Sequence, residues 1–242
     1  MGAFKERKAM QQRRWSIIFA MAVLAGCNGS ATPEPPATSE AAGGQASPAA
    51  ETPVSGPQRH ILAFGDSLFA AYGLDKPQGY PARLQAALRA QGINALVTDA
   101  GVSGDTTAAG RQRIAFVLDS EAAKPDLAIV ELGGNDMLRG LPPAETRANL
   151  KAILDELQRR KIPVLLMGMR APPNLGADYQ AEFDGIYPAL AKEYGAALVP
   201  FFLAATFDKP ALIQQDRIHP TAEGIEALVA DTADEVADAL PK

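Results

Sequence analysis

The sequence predicts a three-layer α/β/α domain built on a five-stranded parallel sheet. From His60 onward, short apolar runs alternate with stretches of helical apolar spacing. The runs are near-continuous rather than alternating, as expected of strands buried on both faces by covering helices. Most of them stop at glycine and polar residues, and ligands of open parallel sheets bind at such carboxyl ends.

Each element has its own signal. His60-Ile61-Leu62-Ala63-Phe64 is an apolar run ending at Gly65, a first buried strand. Leu84, Ala87 and Leu88 repeat at i, i+3, i+4, the spacing of a covering helix. Ala95-Leu96-Val97 is the second strand, and Ile114, Val117 and Leu118 return to helical spacing. Leu127 to Leu132 forms a third strand ending at Gly133-Gly134. Leu150, Ile153, Leu154 and Leu157 mark the clearest amphipathic helix in the chain. Pro163 to Met167 is the fourth strand, Ala189 to Tyr194 the end of a helix, and Ala197-Leu198-Val199 the fifth strand. Ile225, Leu228, Val229, Thr232 and Val236 define the last helix. The strand exits are then Gly65-Asp66-Ser67, Gly101 to Asp105, Gly133 to Asp136 and Gly168-Met169-Arg170, and they converge on one face.

Composition narrows the chemistry. The 242 residues suit one α/β domain plus leader sequence, large enough to bury a core without disulfides. A single cysteine, Cys27, excludes an intramolecular disulfide and any zinc site made of clustered cysteines, and two histidines do not make a histidine-rich site. No metal or cofactor is called for. A net charge of −5 argues against nucleic acid as the main partner.

The first segment reads as a targeting sequence. Lys5, Arg7, Lys8, Arg13 and Arg14 precede the short apolar run Trp15 to Ala25, which is too short for a membrane span. Arg13-Arg14 fits a twin-arginine signal poorly. The run ends in Leu24-Ala25-Gly26-Cys27, which resembles the lipobox of bacterial lipoproteins, where a lipid is added to the cysteine. The alternative is an ordinary tail or buried cysteine. Residues 1–26 are therefore expected to be a lipoprotein-type signal peptide, and membrane association through a lipid on Cys27 follows. Removing them leaves 18 basic against 27 acidic residues, a net −9. Residues 27–58, rich in Pro, Ala, Ser, Thr, Gly and Glu, bury too little surface to fold and read as a tether. Residues 59–242 are the domain, exported to the periplasm.

Ser67 follows the first strand directly. A serine hydroxyl is a poor nucleophile near neutral pH and needs a base within hydrogen-bonding reach. His60 opens the same strand and so lies at the opposite edge of the sheet, which leaves His219. In Asp216-Arg217-Ile218-His219-Pro220 a carboxylate three residues before the imidazole can accept its Nδ1–H and leave Nε2 facing the serine. A competing reading has Asp216 and His219 merely capping the final helix, with Pro220 in its first turn. Acyl transfer also needs donors for the oxyanion. The Ser67 N–H, the Gly104 N–H and the Asn135 side-chain amide are the candidates, although Gly133-Gly134-Asn135-Asp136 also reads as a plain turn. Asp66 and Asp136 read as loop-stabilising residues, and Glu131, unusual in a buried strand, as a satisfied structural carboxylate.

Four segments resemble the four blocks of the SGNH/GDSL hydrolase family, in order. They are Gly65-Asp66-Ser67-Leu68, the glycine block at Gly104, Gly133-Gly134-Asn135-Asp136, and Asp216-x-x-His219. The resemblance covers about residues 60–240 and is closest to the thioesterase I, lysophospholipase and arylesterase branch. Phe64 to Leu68, Ser103 to Thr106, Glu131 to Gly140, and Ile186-Tyr187-Pro188 with Pro200-Phe201-Phe202 carry it. It implies a flavodoxin-like sheet and hydrolysis of acyl esters, aryl esters, lysophospholipids or thioesters through an acyl-enzyme. Ser67, His219 and Asp216 would be the triad, and Ser67, Gly104 and Asn135 the oxyanion hole. The loop from Met169 to Tyr179 would wall an acyl groove, unless it is an ordinary connection. A carbohydrate O-deacetylase with a polar cleft and a non-enzymatic lipid-anchored binding protein are the rival readings.

Overall fold

The computed structural model describes residues 54–242. The expected signal peptide, Cys27 and nearly all of the expected tether lie outside the described residues, and residues 54–58 carry no regular structure. Five strands, β1 (Arg59–Gly65), β2 (Ala95–Gly101), β3 (Leu127–Glu131), β4 (Val164–Met167) and β5 (Ala197–Val199), pair in parallel in the order β2-β1-β3-β4-β5. The helices are α1 (Tyr80–Ala90), α2 (Thr107–Ser120), α3 (Gly134–Leu138), α4 (Pro143–Arg159), α5 (Ala177–Asp184), α6 (Ile186–Tyr194) and α7 (Ala222–Ala239).

Two helical layers sandwich the sheet. α1 packs on α7, while α2, α5 and α6 pack around α4. Gly110 of α2 lies against Phe64, close enough that an added Cβ would sit 3.4 Å from its ring. Leu62 and Phe64 therefore face the α2 side, and Ile61 and Ala63 the other, by the two-residue period of a strand. All four are buried, which is why β1 reads as an unbroken apolar run. From α4, Leu150, Ile153, Leu154 and Leu157 are buried in the same core.

Strand order reverses at β1. The chain leaves β1 toward β2 and returns on its other side as β3. Gly65 is in register with Gly101 on one side and Glu131 on the other, so three strand exits end level with one another. A crevice opens above such a reversal, and it is where ligands of this architecture bind.

Three local features differ from the sequence reading. Gly133-Gly134-Asn135-Asp136 is not a plain turn: Gly133, at φ 117°, precedes α3, and Asn135 sits in that helix's first turn. A five-residue helix is too short to show a periodic stripe. α5 was also not expected, because it buries only Phe183 and carries no apolar face. Finally, Thr221 caps α7, its hydroxyl accepting the Gly224 N–H at 3.1 Å. That overturns the reading of Asp216 and His219 as caps, and Pro220 lies before the cap rather than in the first turn.

Candidate active site

Ser67 sits immediately beyond β1, in a turn closed by the Ala70 N–H donating to the Asp66 carbonyl at 3.0 Å. The glycine before it is forced by space. A Cβ on Gly65 would stand 2.8 Å from the Glu131 carbonyl and 2.9 Å from its carboxyl Oε2, closer than side-chain carbons approach. Arg113 of α2 reinforces the exits from below. It donates to the carbonyls of Gly65 and Ala100 at 2.9 Å each, pairs with Asp105 at 2.6 Å, and lies over the Phe64 ring.

His219 arrives from a different part of the chain. Residues 212–221 fold into a tight hairpin, with the Gln214 N–H on the His219 carbonyl at 2.7 Å and the Thr221 N–H on the Leu212 carbonyl at 2.9 Å. Arg217 turns the tip at φ 62°, a left-handed conformation that non-glycine residues adopt at a cost. Asp216 Oδ1 accepts the N–H groups of Ile218 and His219 at 2.9 and 3.0 Å, which fixes the turn. Gln214 ties the hairpin to the serine loop by donating to the carbonyls of Tyr72 and Pro220 at 2.9 and 2.8 Å. The Tyr72 ring stacks on the imidazole, with 4.2 Å between centroids.

The three predicted side chains meet in one line. His219 Nε2 lies 2.8 Å from Ser67 Oγ, and His219 Nδ1 lies 2.6 Å from Asp216 Oδ2. With Nδ1–H donating to the carboxylate, Nε2 is free to accept the serine proton. Burial alone would raise the Asp216 carboxyl, but the hydrogen bonds from His219 and from the Ile218 backbone outweigh it and hold it at about 2. The carboxylate is therefore ionised wherever the imidazole can act as a base. His60, as expected, lies at the far edge of the sheet, its N–H on Asp126 at 2.8 Å.

Asn135 approaches the same point from α3. Its amide Nδ2 donates to Asp66 Oδ2 at 2.9 Å, while Asp66 Oδ1 accepts the Leu68 N–H at 3.1 Å. One amide hydrogen is thereby committed, and among the described residues the Asn135 amide donates no second hydrogen bond. Asp66 stabilises the loop, as expected, and also aims Asn135, a role that its position in the sequence does not reveal. Gly104 borders the same cleft at φ 85°, its carbonyl held by Arg139 Nη2 at 2.8 Å. Asp136 is a loop tie, accepting the Thr107 N–H at 2.8 Å and the hydroxyls of Thr107 and Thr146. Glu131 corrects the sequence reading: it is fully buried, yet its Oε1 has no hydrogen-bond partner among the described residues.

Ser67, His219, Gly104 and Asn135 line a cleft of about 1030 Å3. Its walls are mainly apolar, with Leu138, Met169, Pro173, Phe201, Leu203 and Phe207 among them. The segment from Met169 to Pro173 lies along it, so that connection is part of the wall.

A serine hydrogen-bonded to a histidine at the reversal point of a parallel sheet, with an apolar cleft before it, is the arrangement expected of an acyl hydrolase. Comparison with known proteins agrees. The profile of the GDSL-like lipase/acylhydrolase family matches residues 63–227. The chain is 42% identical to an esterase, TesA, of Pseudomonas aeruginosa over 160 residues, 66% of this chain and 79% of that one. It is 37% identical to the thioesterase 1/protease 1/lysophospholipase L1 of Escherichia coli over 171 residues, 71% of this chain and 79% of that one. Among solved structures, the SGNH-hydrolase family esterase AlinE4 is 70% identical at a TM-score of 0.66, covering 78% of this chain and all of that one. The chain belongs to the GDSL-like lipase/acylhydrolase family, and it is a hydrolase of carboxylic esters.

Proposed function

We propose that Ser67 is the nucleophile of an esterase and thioesterase that works through an acyl-enzyme. Ser67 Oγ attacks the acyl carbon while His219 Nε2 takes its proton. The Ser67 N–H, the Gly104 N–H and the Asn135 amide hold the negative charge that develops on the carbonyl oxygen. The tetrahedral intermediate collapses, His219 gives its proton to the departing alcohol or thiol, and the acyl group stays on Ser67. Water then attacks with His219 again as base, and the acid leaves. Asp216 keeps the imidazole in the required tautomer throughout. The observation that carries this reading is the 2.8 Å contact between Ser67 Oγ and His219 Nε2 at the mouth of the cleft.

The apolar walls favour acyl or aryl groups, including lysophospholipids, over the small acetyl esters of sugars, for which a polar cleft is expected. A fluorophosphonate probe tests the nucleophile directly. The wild type is labelled on Ser67 and Ser67→Ala is neither labelled nor active, while retained activity in Ser67→Ala overturns the mechanism. Labelling of the wild type also separates an enzyme from a binding protein. A series of p-nitrophenyl esters of increasing chain length separates acyl from acetyl specificity.

The protein is proposed to be exported to the periplasm and held at a membrane by a lipid on Cys27, with the Pro- and Ala-rich residues after it as spacer before a domain beginning near residue 59. The lipobox-like Leu24-Ala25-Gly26-Cys27 supports this. Cys27→Ser should move the protein from the membrane fraction to the soluble fraction of its host; continued membrane association would remove the anchor.

A further inference from the structure

Beneath the serine loop lies a pair of buried acidic groups, Glu131 and Asp66, that take no part in the chemical steps above. Glu131 ends β3, directly across from Gly65, and is completely shielded from solvent. Its Oε2 accepts the Asp66 N–H at 3.3 Å. Its Oε1 has no partner among the described residues so long as the group is a carboxylate. Asp66, 2% exposed, is the residue whose backbone N–H makes that bond, so the two acidic groups are buried side by side. Two buried carboxylates held this close repel each other, and an Oε1 that no donor reaches finds a partner only if the group itself carries a proton. One of them must be an acid.

The donors around the pair decide which. Asp66 accepts the Leu68 N–H at 3.1 Å and the Asn135 amide at 2.9 Å, so its charge is already solvated by the protein. Glu131 accepts a single backbone N–H. We infer that Glu131 acts as a neutral carboxylic acid, donating its proton to Asp66, and that this acid–carboxylate pair is what aims the Asn135 amide beside Ser67. The inference rests on the roles assigned above to Ser67 and Asn135. Glu131 is a positioning residue: it reaches the reacting atoms only through Asp66 and Asn135.

Burial, and then the charge of Asp66, push the Glu131 carboxyl well above the usual carboxylate range. Among the described residues no ion pair to Glu131 offsets this. The charged and titratable groups around it are Asp66 itself, Tyr187 of α6, whose hydroxyl donates to the Leu132 carbonyl at 2.9 Å, Arg113 of α2 at the Gly65 carbonyl, and His219 facing Asp66. A carboxyl whose folded-state value lies above its unfolded one stabilises the fold below the unfolded value. That contribution is lost as pH rises through the folded value. An ionised Glu131 would also repel Asp66 and release the amide.

Glu131→Gln keeps the shape and replaces the acid O–H by an amide N–H that never ionises. Glu131→Ala removes the donor. Three readouts test the pair, with Ser67→Ala measured beside them. The infrared difference spectrum of wild type minus Glu131→Gln near neutral pH should contain the carbonyl stretch of a protonated carboxylic acid. Glu131→Ala should lower kcat by about tenfold to a hundredfold with KM changed little, as small misplacements of reacting groups do, and Glu131→Gln should recover most of that loss. The melting temperature of Glu131→Gln relative to wild type should rise with pH. A missing acid band, a pH-independent stability difference, or a kcat for Glu131→Gln as low as that of a folded Glu131→Ala overturns the inference. Should Glu131→Ala fail to fold, the infrared band and the stability difference still decide. If Ser67→Ala is inactive and the Glu131 predictions fail, only this pair is misread; if Ser67→Ala is active, the mechanism itself is wrong.

Discussion

The mechanism proposed for Ser67 depends on two hydrogen bonds of the imidazole and one of an amide, and each makes a separate claim. Asp216→Asn preserves the volume at the tip of the hairpin but removes the acceptor that holds Nδ1 protonated. It should lower kcat by about 10³–10⁴ while leaving the fold unchanged, measured by steady-state kinetics and circular dichroism. Because the Asp216 carboxyl is held at about 2, below its ordinary value of 3.8, its contribution to stability is present above that ordinary value and lost only as pH falls toward 2. Any fall of activity at higher pH on the acid side therefore belongs to another group. An acid limb that vanishes in Asp216→Asn would contradict this. Asn135→Ala should lower kcat by about 10²–10³ with little change in KM, if its second amide hydrogen meets the oxyanion. A change confined to KM would make Asn135 a substrate contact instead. The meeting of Ser67, His219 and Asp216 was legible in the sequence because their types and order leave few assignments. The aiming of Asn135 by Asp66, and the unpartnered oxygen of Glu131, were not, since both arise from residues brought together only by the pairing of β1 with β3.

Among the elements, the long ones announced themselves and the short ones did not. α4 was visible from four leucine and isoleucine positions because one face of it is buried; α5 was invisible because Phe183 alone goes inward. α3 escaped for a different reason. Its start is encoded by Gly133, whose φ of 117° suits glycine and whose missing side chain leaves room for the Tyr187 hydroxyl. That hydroxyl holds the Leu132 carbonyl at 2.9 Å, so helix start and strand end are fixed at one place. Gly133→Ala should cost about 1–3 kcal/mol of stability by chemical denaturation, and should impair kcat in the folded fraction because Asn135 lies in the next turn. Unaltered stability would show that the chain rearranges there without loss. The hairpin carrying His219 belongs to the same group: no apolar period marks it, and its cap, Thr221, was masked by the more conspicuous Asp216 and Pro220.

Over the described residues as a whole, one continuous core spans both faces of the sheet, and the proposed reacting groups lie at its rim. Stability and catalysis should therefore separate. Leu150→Ala, at a fully buried position in α4, should destabilise by about 2–5 kcal/mol while the protein that remains folded keeps its kcat. Thermal melting together with assays at low temperature would check both parts; a loss of kcat without a loss of stability would refute the separation. The five strands and their parallel arrangement were readable because burial on both faces writes itself into composition. The strand order was not written in composition, since it depends on which side of β1 the chain returns; only the resemblance to a flavodoxin-like sheet implied it, and it is that order which sets the serine loop beside α3.

The imidazole rides on a hairpin outside the sheet, tied to the serine loop by the Gln214 side chain, the stacked Tyr72 ring and its own hydrogen bond to Ser67. Warming should loosen that strap before it melts the layers beneath. The enzyme would then fall silent while still folded and regain its activity on cooling, its working temperature limited by a ten-residue loop rather than by its hydrophobic interior.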